Sequence, residues 1–177
     1  MNNKGYNIKA LIILLVSSVV LVVIDQITKV ISVDKLKGKE PYVIIDNVFE
    51  FYYLENTGTA WGLFAGARYV FLILTVIILL ALIWIVIKMP YTKKYMPLHI
   101  IAILIASGAV GNFIDRLMYG YVRDFIYFKL IDFPIFNVAD IYVTVSMFAL
   151  AFLILFKYDE EDFDFLRIVK HDKCDEQ

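Results

Sequence analysis

Two aspartates, Asp124 and Asp140, lie in the stretch GNFIDRLMYGYVRDFIYFKLIDFPIFNVAD (residues 111–140), between two of the most apolar runs of the sequence. Ionisable residues near hydrocarbon are energetically costly and tend to be functional. Two carboxylates brought together in a site of low dielectric do not both ionise easily, so one of them keeps its proton. Such a pair holds one acid and one base at neutral pH, which suits it to activate a water molecule and to protonate a carbonyl oxygen.

Seven other polar residues complete this pattern: Asp25, Lys29, Asn56, Asn112, Asp115, Arg116 and Asn137. The i, i+3, i+4 spacing of Asn112, Asp115 and Arg116 places them on one helix face. Asn137 and Asp140 are three residues apart and also share a face. Structural interpretations remain open for both groups. Asp115 and Arg116 fit an interfacial charge cluster, and Asn137 fits a helix N-cap with Asp140 in the first turn.

Asp25 and Lys29 belong to the segment DQITK and have the i, i+4 spacing of a helical ion pair, with the acid first. We favour a structural interpretation of this pair, in which the two charges neutralise each other and Lys29 extends outward to the membrane surface. The aromatic run VFEFYYLEN (48–56), which ends at Asn56, is typical of a strand pair or an interfacial belt.

A nucleophilic mechanism has little support in the sequence, because a nucleophilic serine needs a base within reach. The serines are Ser17, Ser18, Ser32, Ser107 and Ser146, and no histidine is expected beside any of them. A Ser32–Lys29 dyad is the one such alternative. The sequence has no glycine-rich nucleotide loop, so the carboxylates are the strongest candidate catalysts.

The elements that must position these residues are membrane helices. The chain of 177 residues is 61% hydrophobic, with a mean hydropathy of +0.74. A span needs about 20 mainly apolar residues, and four segments qualify. We expect one integral membrane domain (1–177) with spans at about 9–33, 69–87, 98–115 and 138–156, extracytoplasmic loops at about 34–68 (loop one) and 116–137 (loop three), and a cytoplasmic tail at 157–177.

With four crossings, loop one and loop three emerge on the same side of the membrane. All nine polar residues of the pattern fall on that side or within a few helical turns of it. The N-terminal tail and the second loop carry lysines without acids, namely Lys4, Lys9, Lys88, Lys93 and Lys94. Basic short loops favour the cytoplasm, so we expect both termini inside and a site toward the extracytoplasmic face.

Charge and composition exclude several classes of function. The formal charge of −1 gives no reason to expect nucleic acid as a partner. Cys174 is the single cysteine, so neither an intrachain disulfide nor a cysteine-based metal cluster is possible. His99 and His171 lie far apart in the sequence. We expect neither a metal nor any other cofactor, and we expect a monomer.

The chain resembles the lipoprotein signal peptidases, the type II, aspartic signal peptidases of bacteria. The resemblance covers residues 10–156 and depends on five short segments in order, each weak alone. They are DQITK (25–29), NTGTAW (56–61), GNFIDR (111–116), VRDF (122–125) and FNVAD (136–140).

This resemblance implies an all-α membrane protein, a four-transmembrane-helix bundle with a small extracytoplasmic β-cradle in loop one. It implies that Asp124 and Asp140 are the catalytic aspartates and that Asn112, Arg116 and Asn137 orient them or hold the substrate. Supporting polar positions match Asn56, Asp25, Lys29 and Asp115. The implied substrates are diacylglyceryl-modified prolipoproteins in the bacterial cytoplasmic membrane, cut just before the lipidated cysteine.

Two other functions remain open at this point. A small proton-coupled transporter could use Asp124 and Asp140 as a relay, and it would need polar residues on both sides of the membrane midplane. A non-catalytic scaffold could use the same charges in structural pairs. The scaffold predicts that replacing either aspartate by asparagine leaves lipoprotein processing intact.

Overall fold

Four long helices dominate the computed structural model, which describes residues 4–58 and 66–166. They are α1 (Lys4–Leu36), α2 (Arg68–Lys88), α3 (Met96–Tyr119) and α4 (Val138–Phe156). All four are long and apolar enough to cross a membrane. Their outward faces carry many exposed aliphatic and aromatic side chains, which an isolated domain in water would bury. The predicted four-helix membrane bundle is confirmed.

Helix α3 is the centre of the bundle, because α1, α2 and α4 all pack against it. Small residues permit these close contacts. A Cβ added to Gly108 would lie 2.5 Å from the carbonyl oxygen of Ala139 in α4, and one added to Gly111 would lie 2.5 Å from Oδ2 of Asp25 in α1. The two glycines therefore allow α1 and α4 to approach α3 closely.

The end of α3 lies one turn beyond the expected boundary. We expected the third span to end at residue 115, but the helix continues to Tyr119. It stops at Gly120, whose φ of 87° is in the left-handed region that closes many helices. Arg116 consequently belongs to the last turn of a helix and keeps a fixed orientation.

A three-stranded antiparallel sheet covers the end of the bundle at which α1 ends and α4 begins. It consists of β1 (Tyr42–Ile45), β2 (Phe49–Asn56) and β3 (Val122–Tyr127), in that order. The cradle predicted for loop one is present, and loop three adds β3 to it. Because β2 pairs with β3, both loops lie at the same end of the molecule, as the parity of four crossings requires.

The other end of the bundle is closed by a short 3-10 helix, Glu160–Leu166. The Tyr158 hydroxyl donates to the carbonyl of Lys94 at 2.5 Å, and the Tyr95 hydroxyl donates to that of Asp162 at 3.0 Å. Lys94 and Asp162 also form an ion pair. The first part of the predicted tail is thus held against the α2–α3 connection, and residues 167–177, including His171 and Cys174, lie outside the described residues.

Candidate active site

Asp124 occupies the third position of β3 and is only 2% exposed. Its Oδ2 accepts a hydrogen bond from Nδ2 of Asn56 at 2.8 Å, and its Oδ1 accepts one from Nδ2 of Asn137 at 2.6 Å. Strand pairing fixes the first of these contacts, because β2 delivers Asn56 beside β3. The carboxyl group is therefore held from both sides by amide donors.

Asp140 lies in the first turn of α4 and forms a capping box with Asn137. The Asn137 side chain accepts from the backbone N–H of Asp140 at 3.1 Å, and Oδ2 of Asp140 accepts from the backbone N–H of Asn137 at 3.0 Å. Nδ2 of Asn112 donates to the other Asp140 oxygen at 2.8 Å. The N-cap predicted for Asn137 is present, and the same residue also binds Asp124.

Both aspartates line one cavity of about 540 Å³. Asn112 and Arg116 of α3 form one part of its wall, and Asn56 and Gly58 form another. Val122 of β3 also lines the cavity. The rest of the wall is mostly apolar and comes from the segment before α4 and from α4 itself: Phe133, Pro134, Ile135, Phe136, Ile141, Thr144 and Val145. Polar groups converge at one end of an otherwise apolar groove, as expected for a site that binds a peptide or lipid chain.

The environment of Asp124 changes its proton affinity. Burial raises the pKa of its carboxyl group to about 7, and the neighbouring charge of Asp140 acts in the same direction. The hydrogen bonds from Asn56 and Asn137 partly oppose this rise, since they stabilise the ionised form. Two interacting carboxyls titrate as a unit, so the pair retains one proton near neutral pH.

Arg116 directs its guanidinium toward the cavity. Its Nη2 donates to the carbonyl oxygen of Gly58 at 3.1 Å, and the group lies 4.7 Å from the ring centroid of Phe71. The contact joins the end of α3 to loop one. Gly58 is the last described residue before the segment 59–65, so the final part of the NTGTAW segment lies outside the described residues.

Asp25, Lys29 and Asp115 meet in a fully buried ion cluster. Nζ of Lys29 lies 2.9 Å from Oδ2 of Asp25 and 3.5 Å from Oδ2 of Asp115, and all three side chains are 0% exposed. The predicted i, i+4 pair is present. The expectation that Lys29 extends outward is wrong, because Asp115 and the amide oxygen of Asn112, at 3.0 Å, hold it inside the bundle.

Two further members of this cluster, Arg123 and Gln26, were not predicted from the sequence. Arg123 pairs with Asp115 through Nη2 at 2.6 Å and Nε at 3.1 Å. Oε1 of Gln26 accepts from Arg123 at 2.8 Å. Both residues stood inside quoted motifs, DQITK and VRDF, but their spacing of 97 positions gives no local signal. Only a prediction that β3 packs against α1 could have identified them.

The structure does not support the Ser32–Lys29 alternative. The hydroxyl of Ser32 donates to the backbone carbonyl of Lys29 at 2.8 Å. The ammonium of Lys29 is directed to Asp25, Asp115 and Asn112. A serine nucleophile needs its base at the hydroxyl, and here the two groups serve other partners.

A family profile and the sequence relatives agree on one family, and a solved structure shares the fold. The profile described as "Signal peptidase (SPase) II" matches residues 17–156. A lipoprotein signal peptidase of Clostridium acetobutylicum is 40% identical over 80% of this chain and 92% of its own. One of Staphylococcus aureus is 36% identical over 78% of this chain and 85% of its own. A solved bacterial membrane enzyme superposes with a TM-score of 0.73 at 32% identity, covering 89% of this chain and 93% of its own.

Proposed function

This chain belongs to the signal peptidase II family, and on that premise we propose that it is an aspartic endopeptidase with Asp124 and Asp140 as its catalytic pair. As a family member it is a multi-pass bacterial membrane protease that removes signal peptides from prolipoproteins. The proposal adds the residues, the mechanism and the bond that is cut. The substrate carries a diacylglyceryl-modified cysteine, and the peptide bond just before that cysteine is hydrolysed.

One observation carries the proposal: Asp124 and Asp140 line the same cavity and both hydrogen-bond to Asn137. A water molecule bound between the two carboxyl groups gives up a proton to the ionised one as its oxygen attacks the scissile carbonyl. The protonated carboxyl group donates to the developing oxyanion. As the tetrahedral intermediate collapses and its C–N bond breaks, the carboxyl group that took the water's proton gives that proton to the leaving amine. The protonated oxygen of the intermediate returns its proton to the other carboxylate, so both aspartates regain their starting states. No covalent enzyme intermediate, metal or cofactor enters these steps.

The surrounding amides and Arg116 have separate roles in this mechanism. Asn56, Asn112 and Asn137 orient the carboxyl groups through donated hydrogen bonds. Such fixed dipoles need no reorganisation during the reaction. Arg116 lines the cavity, and among the described residues its guanidinium donates to Gly58 alone. We propose that its other N–H groups hold a substrate backbone carbonyl.

The apolar wall of the cavity suits a substrate that arrives from the bilayer. α4 contributes Ile141, Thr144 and Val145 to that wall, and Val145 is 54% exposed on the outer surface of the bundle. We propose that the signal peptide enters sideways there, with the protein as a monomer. We also propose that both termini are cytoplasmic and that the cavity opens at the extracytoplasmic surface.

A proton relay is less well supported than proteolysis. A relay needs polar groups that continue from the cavity toward the other end of the bundle. In the described part of the chain, one buried core cluster toward that end is wholly apolar and consists of Ala10, Leu14, Val86, Ala102 and Ala106. Three other buried polar residues of the helices, His99, Ser107 and Ser146, each bond to a nearby backbone carbonyl and do not extend the polar groups of the cavity.

The proposal is tested with purified protein in detergent and a precursor peptide that carries a diacylglyceryl cysteine. We expect Asp124→Asn and Asp140→Asn to abolish cleavage while the protein stays folded. Asparagine has nearly the same shape as aspartate, but it can act neither as the acid nor as the base. Asp132→Asn is a matched control, since Asp132 lies in loop three and contacts Tyr127 outside the cavity. A metal chelator leaves the wild-type rate unchanged.

Two results would contradict the proposal. One is near wild-type cleavage by either catalytic-pair variant in a folded state. The other is cleavage of the same peptide without its lipid at an equal kcat/KM, which would remove the diacylglyceryl group from the definition of the substrate.

A further inference from the structure

The residue just before each proposed catalytic aspartate has its backbone amide bound to a buried carboxylate. The N–H of Ala139, before Asp140, donates to Oδ1 of Asp25 at 3.0 Å. The N–H of Arg123, before Asp124, donates to Oδ2 of Asp115 at 3.0 Å. Asp25 comes from α1 and Asp115 from α3, so the bundle holds the start of α4 and the strand β3 by the same kind of contact.

Lys29 joins the two anchoring carboxylates. Its ammonium lies 2.9 Å from Asp25 and 3.5 Å from Asp115, and none of the three side chains is exposed. It also donates to the amide oxygen of Asn112 at 3.0 Å. A charge without access to water requires such partners, so the two anchors keep a fixed separation.

Arg123 strengthens the contact at the Asp115 side. Its guanidinium and its own backbone N–H all bind the Asp115 carboxylate, which therefore accepts three hydrogen bonds from one residue. Gln26 accepts from the same guanidinium at 2.8 Å and donates to Asp115 at 3.3 Å and Asp25 at 3.1 Å. These contacts restrain the backbone next to Asp124.

We propose that Asp25 and Asp115, bridged by Lys29, are paired positioning residues that set the separation of the Asp124 and Asp140 carboxyl groups. The proposal rests on the function proposed above. Neither anchor nor Lys29 lines the cavity, so these residues act through the two backbone amides and not through contact with substrate. A displacement of about 1 Å can lower a rate about 10²-fold. A small change in the separation of the two carboxyl groups would therefore lower the rate of cleavage.

The test compares two substitutions at each anchor in the full-length protein. Asp25→Asn and Asp115→Asn keep an oxygen that can accept the backbone N–H, whereas Asp25→Ala and Asp115→Ala remove it. We expect the alanine variants to lose up to about 10²-fold in kcat with KM unchanged. The asparagine variants recover part of that loss. A transition-state mimic with a central hydroxyl binds more weakly to the alanine variants, in the same order as their kcat values.

Glu50→Ala and Glu50→Gln are controls for loss of an ion pair made by a buried carboxylate. Glu50 is 4% exposed in β2 and pairs with Lys129 at 3.1 Å, but it contacts neither anchored amide. We expect these variants to lower the unfolding temperature in detergent and to leave kcat unchanged. If an alanine variant does not fold, the folded asparagine variant at the same position is compared with the wild type instead.

The outcomes separate the two proposals. If Asp124→Asn still cleaves, the proposed function itself fails. If Asp124→Asn is inactive but the folded anchor variants keep the wild-type kcat, or show a raised KM instead of a lower kcat, the positioning role is wrong. It is also wrong if the Glu50 variants lose as much kcat as the anchor variants at an equal loss of unfolding temperature.

Discussion

Three asparagines surround the proposed catalytic carboxyl groups, and each donates an amide N–H to one of them. Asn56 and Asn137 serve Asp124, and Asn112 serves Asp140. Amides do not titrate, so they orient a carboxyl group without adding a charge that would change its proton affinity strongly. The resulting site depends on burial and on the mutual repulsion of the pair to keep one proton.

The first residue-scale prediction concerns pH. The pKa of Asp124 is raised by burial to about 7, and the mechanism needs one proton on the pair. Raising the pH through 7 removes that proton, so we expect kcat/KM to fall on the alkaline side. The measurement is the rate of cleavage of the lipidated peptide from pH 5 to 9. An alkaline limb that begins only where lysine titrates would assign the acid to another group.

A second prediction concerns Asn56. Its hydrogen bond stabilises the ionised form of Asp124, so Asn56→Ala raises the pKa of Asp124 further. A hydrogen bond to a charged group is worth about 1.5 kcal/mol, which moves the alkaline limb of the pH profile upward by about one unit. Thr57→Ala, at an exposed neighbour whose side chain does not line the cavity, is the control and leaves the limb in place.

At this scale the sequence identified the polar residues but not all of their partners. The spacing of Asn137 and Asp140 predicted a cap, and DQITK predicted an ion pair, because both contacts are local. The inward course of Lys29 and the contacts of Gln26 with Arg123 depend on how α1, α3 and β3 pack. Local spacing carries no information about such long-range contacts.

The elements that carry the site are held by close packing at glycines. Gly108 faces the first turn of α4, where the carbonyl of Ala139 and Cγ2 of Val143 lie 2.5 Å and 2.6 Å from the position of an added Cβ. A backbone carbonyl cannot rotate away as a flexible side chain can. Any side chain at position 108 must therefore push the start of α4, with Asp140, away from α3.

This packing gives an element-scale prediction. Gly108→Ala lowers the free energy of unfolding by about 1–3 kcal/mol, the usual effect of overpacking, and it also lowers kcat because Asp140 moves. The measurements are thermal unfolding in detergent and cleavage rate. Ala81→Leu, on an exposed position of α2, is the control and changes neither. An unchanged free energy of unfolding in Gly108→Ala would contradict this prediction, because α4 would then move away from α3 without loss of stability.

The sheet shows where prediction of elements from the sequence stops. The aromatic run 48–56 was typical of a strand pair or an interfacial belt, and the resemblance implied a β-cradle in loop one. That β3 pairs with β2, and so completes the cradle, depends on an antiparallel register between segments about 70 residues apart, as between Asn56 and Val122. The length of α3 was also underestimated, since hydrophobicity falls before the helix ends at Gly120.

For the molecule as a whole, the sequence determined the architecture well. Four apolar runs of sufficient length predicted four helices, and an even number of crossings placed loop one and loop three together. Sheet pairing bears this out. The direction of insertion follows only from the lysines of the N-terminal tail and second loop, so it stays a prediction.

Insertion direction can be measured with the single native cysteine, Cys174. With both termini in the cytoplasm, a membrane-impermeant thiol reagent does not label Cys174 in intact cells and labels it after permeabilisation. A cysteine placed at Asp46, in the turn between β1 and β2, reacts in intact cells when Cys174 is replaced by serine. The reverse labelling pattern would place the cavity on the cytoplasmic side.

The central claim is that Asp124 and Asp140 act on one reacting oxygen. A structure of the wild-type protein with a peptide mimic that carries a hydroxyl in place of the scissile carbonyl tests this claim most directly. We predict that the hydroxyl oxygen lies within about 3.0 Å of an oxygen of each carboxyl group, the distance of an O–H···O hydrogen bond. An inhibitory mimic whose hydroxyl contacts only one of the two aspartates, or neither, would contradict the account.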